Sequence, residues 1–403
     1  MTFNRSIVIR VVALITLMTS LTFFSTRLQA DTGSCGGATT TLPFTDVQGN
    51  AFFCQIAGAY FSGLTNGTSA TTFTPGANVT REQMAAFTTR TMDQSLKRGS
   101  KRAVTEKWWT PQTANSLTLT TVDNDPFQVK FDGTDLWVAN QASDSVTRIR
   151  PGDGKVLETW TGATQATGIV CAMGRVFVTG NNVPGSLYMI DPTQPVGAVT
   201  PLTSSLGNSP EGIAFDGSRI WTANTSGSVS IVSLNPTTVT TVTTGFGTPT
   251  GILYDGGNIW VTNTSNSTLL KLNSDGSIAQ TINVGDTPQF PVFDGTNIWV
   301  PNISSNSVTV VRVKDTQGNA LASAFVLATL TGNGLNEPIT AAFDGERILV
   351  ANRAGHSVSL WKTSDLTPLD SFPTGANTFP FGACSDGLNF WITLLGTNKL
   401  ARF

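Results

Sequence analysis

Short apolar segments alternate with polar turns along most of this chain. The phrase "FDGTDLWVAN" at residues 131–140 returns as "FDGSRIWTAN", "YDGGNIWVTN", "FDGTNIWVPN" and "FDGERILVAN". Aromatic and β-branched residues at alternate positions predict β-strands. The Asp-Gly pairs predict tight turns, because Gly accepts a positive φ while Asp bonds to nearby backbone. Each unit is therefore predicted to contain four strands joined by turns and one loop.

The spacing of these phrases predicts the architecture. Seven copies begin near residues 136, 176, 220, 259, 298, 348 and 390, which gives spacings of 40, 44, 39, 39, 50 and 42 residues. A period near 40 residues without helical patterning is typical of propeller blades, each a four-stranded antiparallel sheet. The fold class is predicted to be mainly β, with a seven-bladed β-propeller over residues 107–403.

The two ends of this repeat region are predicted to share one blade. After the seventh phrase only "GTNKLARF" remains, which suffices for a third strand but not for a fourth. Upstream of the first repeat, "SLTLTTV" has the alternation of a fourth strand. We expect this segment to complete the last blade, because a missing strand would expose a sheet edge.

The recurring polar and aromatic residues of the phrase are interpreted as structural. The Asp residues are assigned to the turns, the Asn residues to Asx turns at strand ends, and the Trp residues to the core between blades. They are Asp132, Asp216, Asp255, Asp294, Asp344 and Asp386; Asn140, Asn224, Asn263, Asn302 and Asn352; and Trp137, Trp221, Trp260, Trp299 and Trp391.

The N-terminal quarter is organised differently. Residues 1–30 combine a basic region at Arg5 and Arg10, an apolar stretch and a terminal small residue, which predicts a secretory signal peptide; an uncleaved membrane anchor is the alternative. Residues 31–96 form a small module with two predicted helices, Ala51 to Phe61 and Arg81 to Met92. Thr80 followed by Gln83 predicts a capping box for the second helix. Residues 97–106 are a basic linker, read either as solvated or as attracted to an anionic polymer.

The small module resembles the S-layer homology (SLH) family through "FTDV" at 44–47, "GLTNG" at 63–67, "FTP" at 73–75 and "VTREQMAAF" at 79–87. The resemblance implies attachment to a cell-wall polysaccharide, with Asp46, Thr80 and Arg81 as the polymer-binding residues. A guanidinium suits an acidic sugar because its planar donors address a carboxylate in pairs. The alternatives are plain helix capping for Thr80 and a solvated position for Arg81.

The repeats resemble the YVTN and virginiamycin B lyase-like propellers, with "WVTN" at 260–263 nearest to the family phrase. This resemblance implies a seven-bladed fold but not an activity. Related lyases suggest an enzyme hypothesis in which His356, the one His of the chain, would act as a catalytic base. The acidic residues that could share its face are Asp123, Asp125, Glu211, Asp286 and Glu337, and their spacing predicts no metal site and no cofactor.

The charge and the cysteine content restrict the possible partners and disulfides of the protein. The net charge is −2 and only 12% of residues are charged, so the sequence does not favour a nucleic-acid partner. Of the four cysteines, Cys35 and Cys54 could close a small loop, whereas Cys171 and Cys384 are expected to be buried free thiols.

These observations favour a secreted, envelope-associated bacterial protein with no membrane span after signal removal. In this interpretation the module binds cell-wall polymer, and the propeller is a non-catalytic scaffold for an unidentified protein or glycan at its face. A secreted lyase or hydrolase acting at the His356 face is the first alternative. A surface protein whose propellers pack in arrays is the second.

Overall fold

The computed structural model describes residues 30–35, 38–61, 64–97, 117–315 and 317–403. The described residues belong to two compact units, which divide between Lys107 and Trp108. The predicted signal segment 1–30, apart from its last residue, and the linker 97–106, apart from its first, lie outside the described residues. No helix within the described ranges is long and apolar enough to cross a membrane.

The N-terminal module contains one hairpin and two helices. The hairpin pairs β1 (Thr32–Cys35) with β2 (Ala38–Thr41), and it is followed by α1 (Phe53–Phe61) and α2 (Arg81–Lys97). Both helices were predicted, although α1 begins two residues later and α2 ends five residues later than expected. The hairpin was not predicted, because its Thr- and Gly-rich sequence carries little hydrophobic alternation.

A small core and a disulfide hold this module together. Six buried apolar residues form the core, namely Leu42, Phe44, Val47, Phe53, Ile56 and Ala57. Cys35 and Cys54 are disulfide-bonded, which joins the hairpin to α1 as the sequence allowed. The buried Asp31 accepts hydrogen bonds at Oδ2 from the backbone N–H groups of Val47 and Gln48, at 2.7 and 2.8 Å. These contacts fix the segment that carries the FTDV motif.

The second unit is a seven-bladed β-propeller, as predicted. Each blade is a four-stranded antiparallel sheet. Blades one to four have the following strands: β4 (Pro126–Phe131), β5 (Leu136–Asn140), β6 (Ser145–Arg150), β7 (Lys155–Thr161); β8 (Ala166–Ala172), β9 (Arg175–Gly180), β10 (Gly185–Ile190), β11 (Thr200–Leu206); β12 (Pro210–Phe215), β13 (Ile220–Asn224), β14 (Ser228–Leu234), β15 (Thr237–Val242); β16 (Pro249–Tyr254), β17 (Ile259–Asn263), β18 (Thr268–Leu272), β19 (Ile278–Asn283).

The last three blades include the closure of the ring. Their strands are β20 (Val292–Phe293), β21 (Asn297–Asn302), β22 (Ser307–Lys314), β23 (Ala320–Thr331); β24 (Pro338–Phe343), β25 (Arg347–Asn352), β26 (Ser357–Lys362), β27 (Pro368–Pro373); β28 (Pro380–Ser385), β29 (Phe390–Leu394), β30 (Lys399–Arg402). The fourth strand of blade seven is β3 (Thr118–Thr121), which pairs with β30. The prediction that the upstream segment completes the last blade is thus confirmed.

Apolar side chains from neighbouring blades pack into a series of buried clusters around the ring. The Trp residues of the repeated phrase are fully buried in these clusters, as predicted. Near the axis the innermost strands approach one another so closely that a side chain does not fit. A Cβ added to Gly251 of blade four would lie 2.5 Å from the carbonyl oxygen of Gln289 in blade five. Glycine at this position therefore sets the distance between blades.

The two cysteines of the propeller are free thiols, as expected. Cys384 is buried, but Cys171 is only half-buried, so the expectation of full burial was wrong for Cys171. Burial raises the pKa of the Cys171 thiol to about 12 and raises that of Cys384 as well, which keeps both thiols protonated near neutral pH.

Candidate functional sites

Asp46 of the FTDV motif is engaged with the backbone of the module. Its carboxylate accepts hydrogen bonds from the N–H groups of Phe73, at 2.9 and 3.1 Å, and of Thr74, at 2.7 Å. These bonds fasten the loop that contains the FTP motif onto the FTDV segment. The local geometry gives Asp46 a positioning task within the fold.

Thr80 and Gln83 form the predicted capping box at the start of α2. The Thr80 N–H donates to Gln83 Oε1 at 2.9 Å, and the Gln83 N–H donates to Thr80 Oγ1 at 3.2 Å. Both bonds satisfy backbone donors that a helix start leaves without intrahelical partners. The capping alternative stated for Thr80 is therefore realised, and the cap orients the residue that follows it.

Arg81 is exposed in the first turn of α2. Its guanidinium has no hydrogen bond or ion pair with the residues that the structure describes. Next to this turn, a groove of about 540 Å³ separates α2 from the preceding loop, and Gln83 is part of its wall. Phe73, Val79 and Phe87 give the groove apolar walls, while Asn66 and Asn78 add amide groups. The start of α2 thus carries an exposed cation, and the groove with mixed apolar and polar walls begins at the same turn, although Arg81 itself does not line that groove.

In the propeller, the repeated Asp residues each perform two bonding tasks. Asp255 Oδ1 accepts from the N–H groups of Gly257 and Asn258, which closes the turn, while Oδ2 accepts from Trp260 Nε1 at 2.7 Å. The same Asp-to-Trp bond, from an Asp to the Trp five residues later, recurs for Asp132, Asp216, Asp294 and Asp386. The structural interpretation of these Asp residues is confirmed, and their link to Trp is an added finding.

The repeated Asn residues are structural too, but not through Asx turns. Asn302 is fully buried in its strand, and its Nδ2 donates to the hydroxyls of Ser307 and Thr309 on the adjacent strand. Asn140, Asn224 and Asn352 make equivalent bonds to paired hydroxyls. The predicted Asx turn was wrong for these residues because the hydroxyl at every second position of the third strand offers a nearer partner. Asn263 differs, because its Oδ1 accepts from the N–H groups of Gly247 and Thr248, which precede the first strand of its blade.

His356 lies at a turn position that recurs in other blades. Its φ is 45°, and its Nδ1 accepts a hydrogen bond from the N–H of Phe379 at 3.3 Å, which links blade six to blade seven. Its ring also meets that of Phe379 edge-on, with centroids 4.5 Å apart. Other blades make the same link with a positive-φ residue that accepts from the first residue of the next blade, in the pairs Asp144–Gln165, Asn306–Glu337 and Asn398–Asp125.

The structure describes the surroundings of four of the five acidic residues named with His356. Asp123 and Asp286 accept hydrogen bonds from the hydroxyls of Ser145 and Ser267. Burial raises the pKa of Asp125, and burial raises the pKa of Glu211 to about 7. Among the described residues, no three His, Cys, Asp or Glu side chains lie close enough together to hold a metal ion.

Three aromatic rings meet at the centre of the propeller. Phe127, Phe290 and Phe381 belong to blades one, five and seven, and their ring centroids are 4.2 to 6.2 Å apart. Side chains from innermost strands of non-adjacent blades can touch only across the axis. Phenylalanine side chains from three blades therefore meet in the central funnel at this level, a contact that the repeat pattern does not predict. A Phe beside Pro in "DPFQ", "QFPV" and "FPFG" was the available signal.

Comparisons with known proteins agree with this division of the chain. Residues 43–85 match the S-layer homology domain. Among solved structures, the propeller is similar to virginiamycin B lyase from Staphylococcus aureus, with 16% identity and a TM-score of 0.57 over 71% of this chain and 98% of that one. Hydrazine synthase of Kuenenia stuttgartiensis is similar at 17% identity and a TM-score of 0.57, over 70% of this chain and 97% of that one.

A third similar structure is the β-propeller domain of Cps50 (Swd1) from Myceliophteria thermophila, with 10% identity and a TM-score of 0.59, over 71% of this chain and 99% of that one. At these identities the likeness establishes the propeller fold alone. No curated protein matches the chain. The S-layer homology domain indicates a bacterial protein of the cell surface or envelope, since such domains generally bind cell-wall polymers.

Proposed function

We propose that this is an exported envelope protein that attaches to an anionic cell-wall polysaccharide through Arg81, while its propeller acts as a non-catalytic binding scaffold. The observation that carries the proposal is the match of residues 43–85 to the S-layer homology domain, together with an exposed Arg81 that bonds to none of the described residues. The predicted signal segment 1–30 would direct export, and no membrane span would remain after its removal.

The three residues named for polymer binding have separate roles in this proposal. Arg81 contacts the acidic group of the polymer, because a planar guanidinium can donate two parallel hydrogen bonds to one carboxylate. Thr80 positions Arg81 by capping α2, and Asp46 positions the loop that faces the same helix start. One such contact gives modest affinity, so firm anchoring would need several chains acting together.

The lyase or hydrolase alternative loses its main support. His356 Nδ1 accepts a hydrogen bond from the Phe379 N–H, and Asp144, Asn306 and Asn398 accept the equivalent backbone bond at the same turn position of other blades. This pattern favours a structural role for His356.

Co-sedimentation with isolated envelope from the producing organism tests the proposed site. The variant Arg81→Ala should bind about tenfold more weakly or worse, since a charge-assisted contact contributes roughly 1.5–3 kcal/mol. The matched control Arg353→Ala removes an exposed arginine of the propeller and should pellet like the unmodified protein. Undiminished pelleting of Arg81→Ala would remove Arg81 from the polymer site.

A further inference from the structure

A cleft of about 250 Å³ opens in the propeller, between blades five and six. Blade five contributes Asn297, Arg312 and Leu327 to its wall, and the loop after β26 of blade six contributes Ser364 and Leu366. The wall also includes Asp294, whose carboxylate accepts hydrogen bonds from Asn297 Nδ2 and Trp299 Nε1, and the hydroxyls of Thr296 and Thr363. The cleft therefore combines one cation, one carboxylate that is already hydrogen-bonded, an amide, three hydroxyls and two aliphatic side chains.

Arg312 differs from the other half-buried arginines of the propeller. Within the described residues its guanidinium has no ion pair, hydrogen bond or aromatic partner. Each of the others is paired with a carboxylate or, for Arg402, with backbone and hydroxyl oxygens: Arg148, Arg175, Arg219, Arg347 and Arg402. Partial burial of a guanidinium without a hydrogen-bond or ion-pair partner destabilises the folded state. The fold bears this cost at Arg312 alone among these arginines.

The equivalent position of blade six shows how such a cation is normally paired. There the cross-strand pair is Arg347 and Lys362, and Lys362 Nζ contacts Asp365 Oδ2 at 3.3 Å. The acidic residue three positions after Arg312 is Asp315, but its carboxylate accepts from the Gln317 and Asn319 N–H groups and from Asn319 Nδ2. The Asp315 carboxylate is thereby engaged within its own turn, and Arg312 has no counter-ion among the described residues.

Asn297 provides a second group without a full set of partners. It lies directly opposite Arg312 on the adjacent strand, so the two side chains occupy the same face of the sheet. The residue is 6% exposed, and its Nδ2 donates to Asp294 Oδ2 at 2.9 Å. Its Oδ1 is buried and accepts no hydrogen bond from any residue that the structure describes. An acceptor and a charged donor thus stand side by side at the cleft.

We propose that this cleft binds a carboxylate-bearing sugar unit, such as a uronic acid. Arg312 would hold the carboxylate, and the Asn297 Oδ1 would accept a hydrogen bond from a ring hydroxyl. Leu327 and Leu366 would face the C–H surface of the ring, and the volume suits one pyranose. The inference concerns the propeller alone and does not depend on polymer binding by the N-terminal module.

Titration of the full protein with D-glucuronate, followed by calorimetry or by NMR of the ligand, tests this proposal. D-Glucose and inorganic phosphate are the comparison probes. We expect saturable binding of glucuronate in the millimolar range, with weaker binding of both comparison probes. Arg312→Gln should weaken glucuronate binding about tenfold or more, because a charge-assisted pair is lost. Arg353→Gln, which removes an exposed propeller arginine, should leave binding unchanged.

Thermal unfolding of the same variants separates a binding role from a structural one. Arg312→Gln should melt at the same temperature as the unmodified protein or higher, since it removes a half-buried charge without a partner. Glucuronate binding that survives in Arg312→Gln, or phosphate binding as tight as that of glucuronate, would overturn the assignment. So would a melting temperature that falls in Arg312→Gln, because Arg312 would then stabilise the fold itself.

Discussion

Different interactions stabilise the N-terminal module and the propeller. The module depends on six buried apolar residues and one disulfide. The propeller reuses the same contacts around a closed ring, with an Asp-to-Trp bond in five blades and buried clusters between blades. In both units most motif residues stabilise the fold. Among the residues that the structure describes, the exposed Arg81 of the module and the half-buried Arg312 of the propeller have guanidinium groups without a polar partner.

Removing residues 396–403 should break the propeller and spare the module, which is the largest effect we expect. The deletion removes β30, the strand between β29 and β3, so blade seven would lose two strands and the ring would open. We expect loss of cooperative unfolding of the propeller in a calorimetric scan. A version that starts at residue 104 is the control, and its propeller transition should be unchanged. A deleted chain that melts like the intact one would refute the closure.

Breaking the disulfide should affect the module alone. Cys35→Ser removes the cross-link between Cys35 and Cys54, which are 19 residues apart in sequence. A disulfide that closes a loop of this size contributes about 3 kcal/mol to the unfolding free energy, because it restricts the unfolded chain. Calorimetry should show a lower transition for the module beside an unshifted propeller transition. Cys171→Ser, at a free thiol of the propeller, should leave the module transition in place. A propeller transition that moves with Cys35→Ser would mean that the two units unfold together.

The hydrogen bonds that Asp216 accepts predict acid sensitivity of the propeller. Burial acts to raise the pKa of Asp216, but hydrogen bonds from Trp221, Arg219 and Ser218 outweigh it and hold the pKa at about 2. A depressed pKa in the folded state stabilises the protein above the unfolded value, near 3.9, and this contribution is lost as pH falls towards 2. The melting temperature of the Asp216→Asn variant should therefore vary less between pH 5 and pH 2 than that of the unmodified protein. An unchanged pH profile in that variant would contradict the role of Asp216.

Substitutions of His356 give the smallest expected effect and test whether this residue stabilises the fold. His356→Ala removes the acceptor for the Phe379 N–H and should cost about 1 kcal/mol of unfolding free energy in denaturant titrations. His356→Asn should restore it, because Asn accepts the bond and tolerates the positive φ, as Asn306 and Asn398 do in other blades. An Asn variant as unstable as the Ala variant would show that the ring contact with Phe379 matters instead.

Much of the fold follows from the sequence because the propeller repeats. Seven copies of one phrase reveal strands, turns and closure together, and the position of Trp in the phrase reveals the inter-blade core. The capping box was predictable because Thr80 and Gln83 are neighbours in sequence. The aromatic contacts at the axis were not predictable, because they join residues from separate blades. The missing partner of Arg312 was not predictable either, because Asp315 has the sequence spacing of a partner and its bonds to Gln317 and Asn319 appear only in the structure. The buried Asp31 was likewise hidden, since its partners lie 16 and 17 residues away.

Co-sedimentation of two versions of the chain with isolated envelope tests the division of labour most directly. The versions span residues 31–403 and 104–403, and they differ by the module and most of the basic linker. We predict that the longer version pellets with the envelope while the shorter one stays in solution. A propeller that pellets equally well without the module would contradict the claim that the module is the anchor.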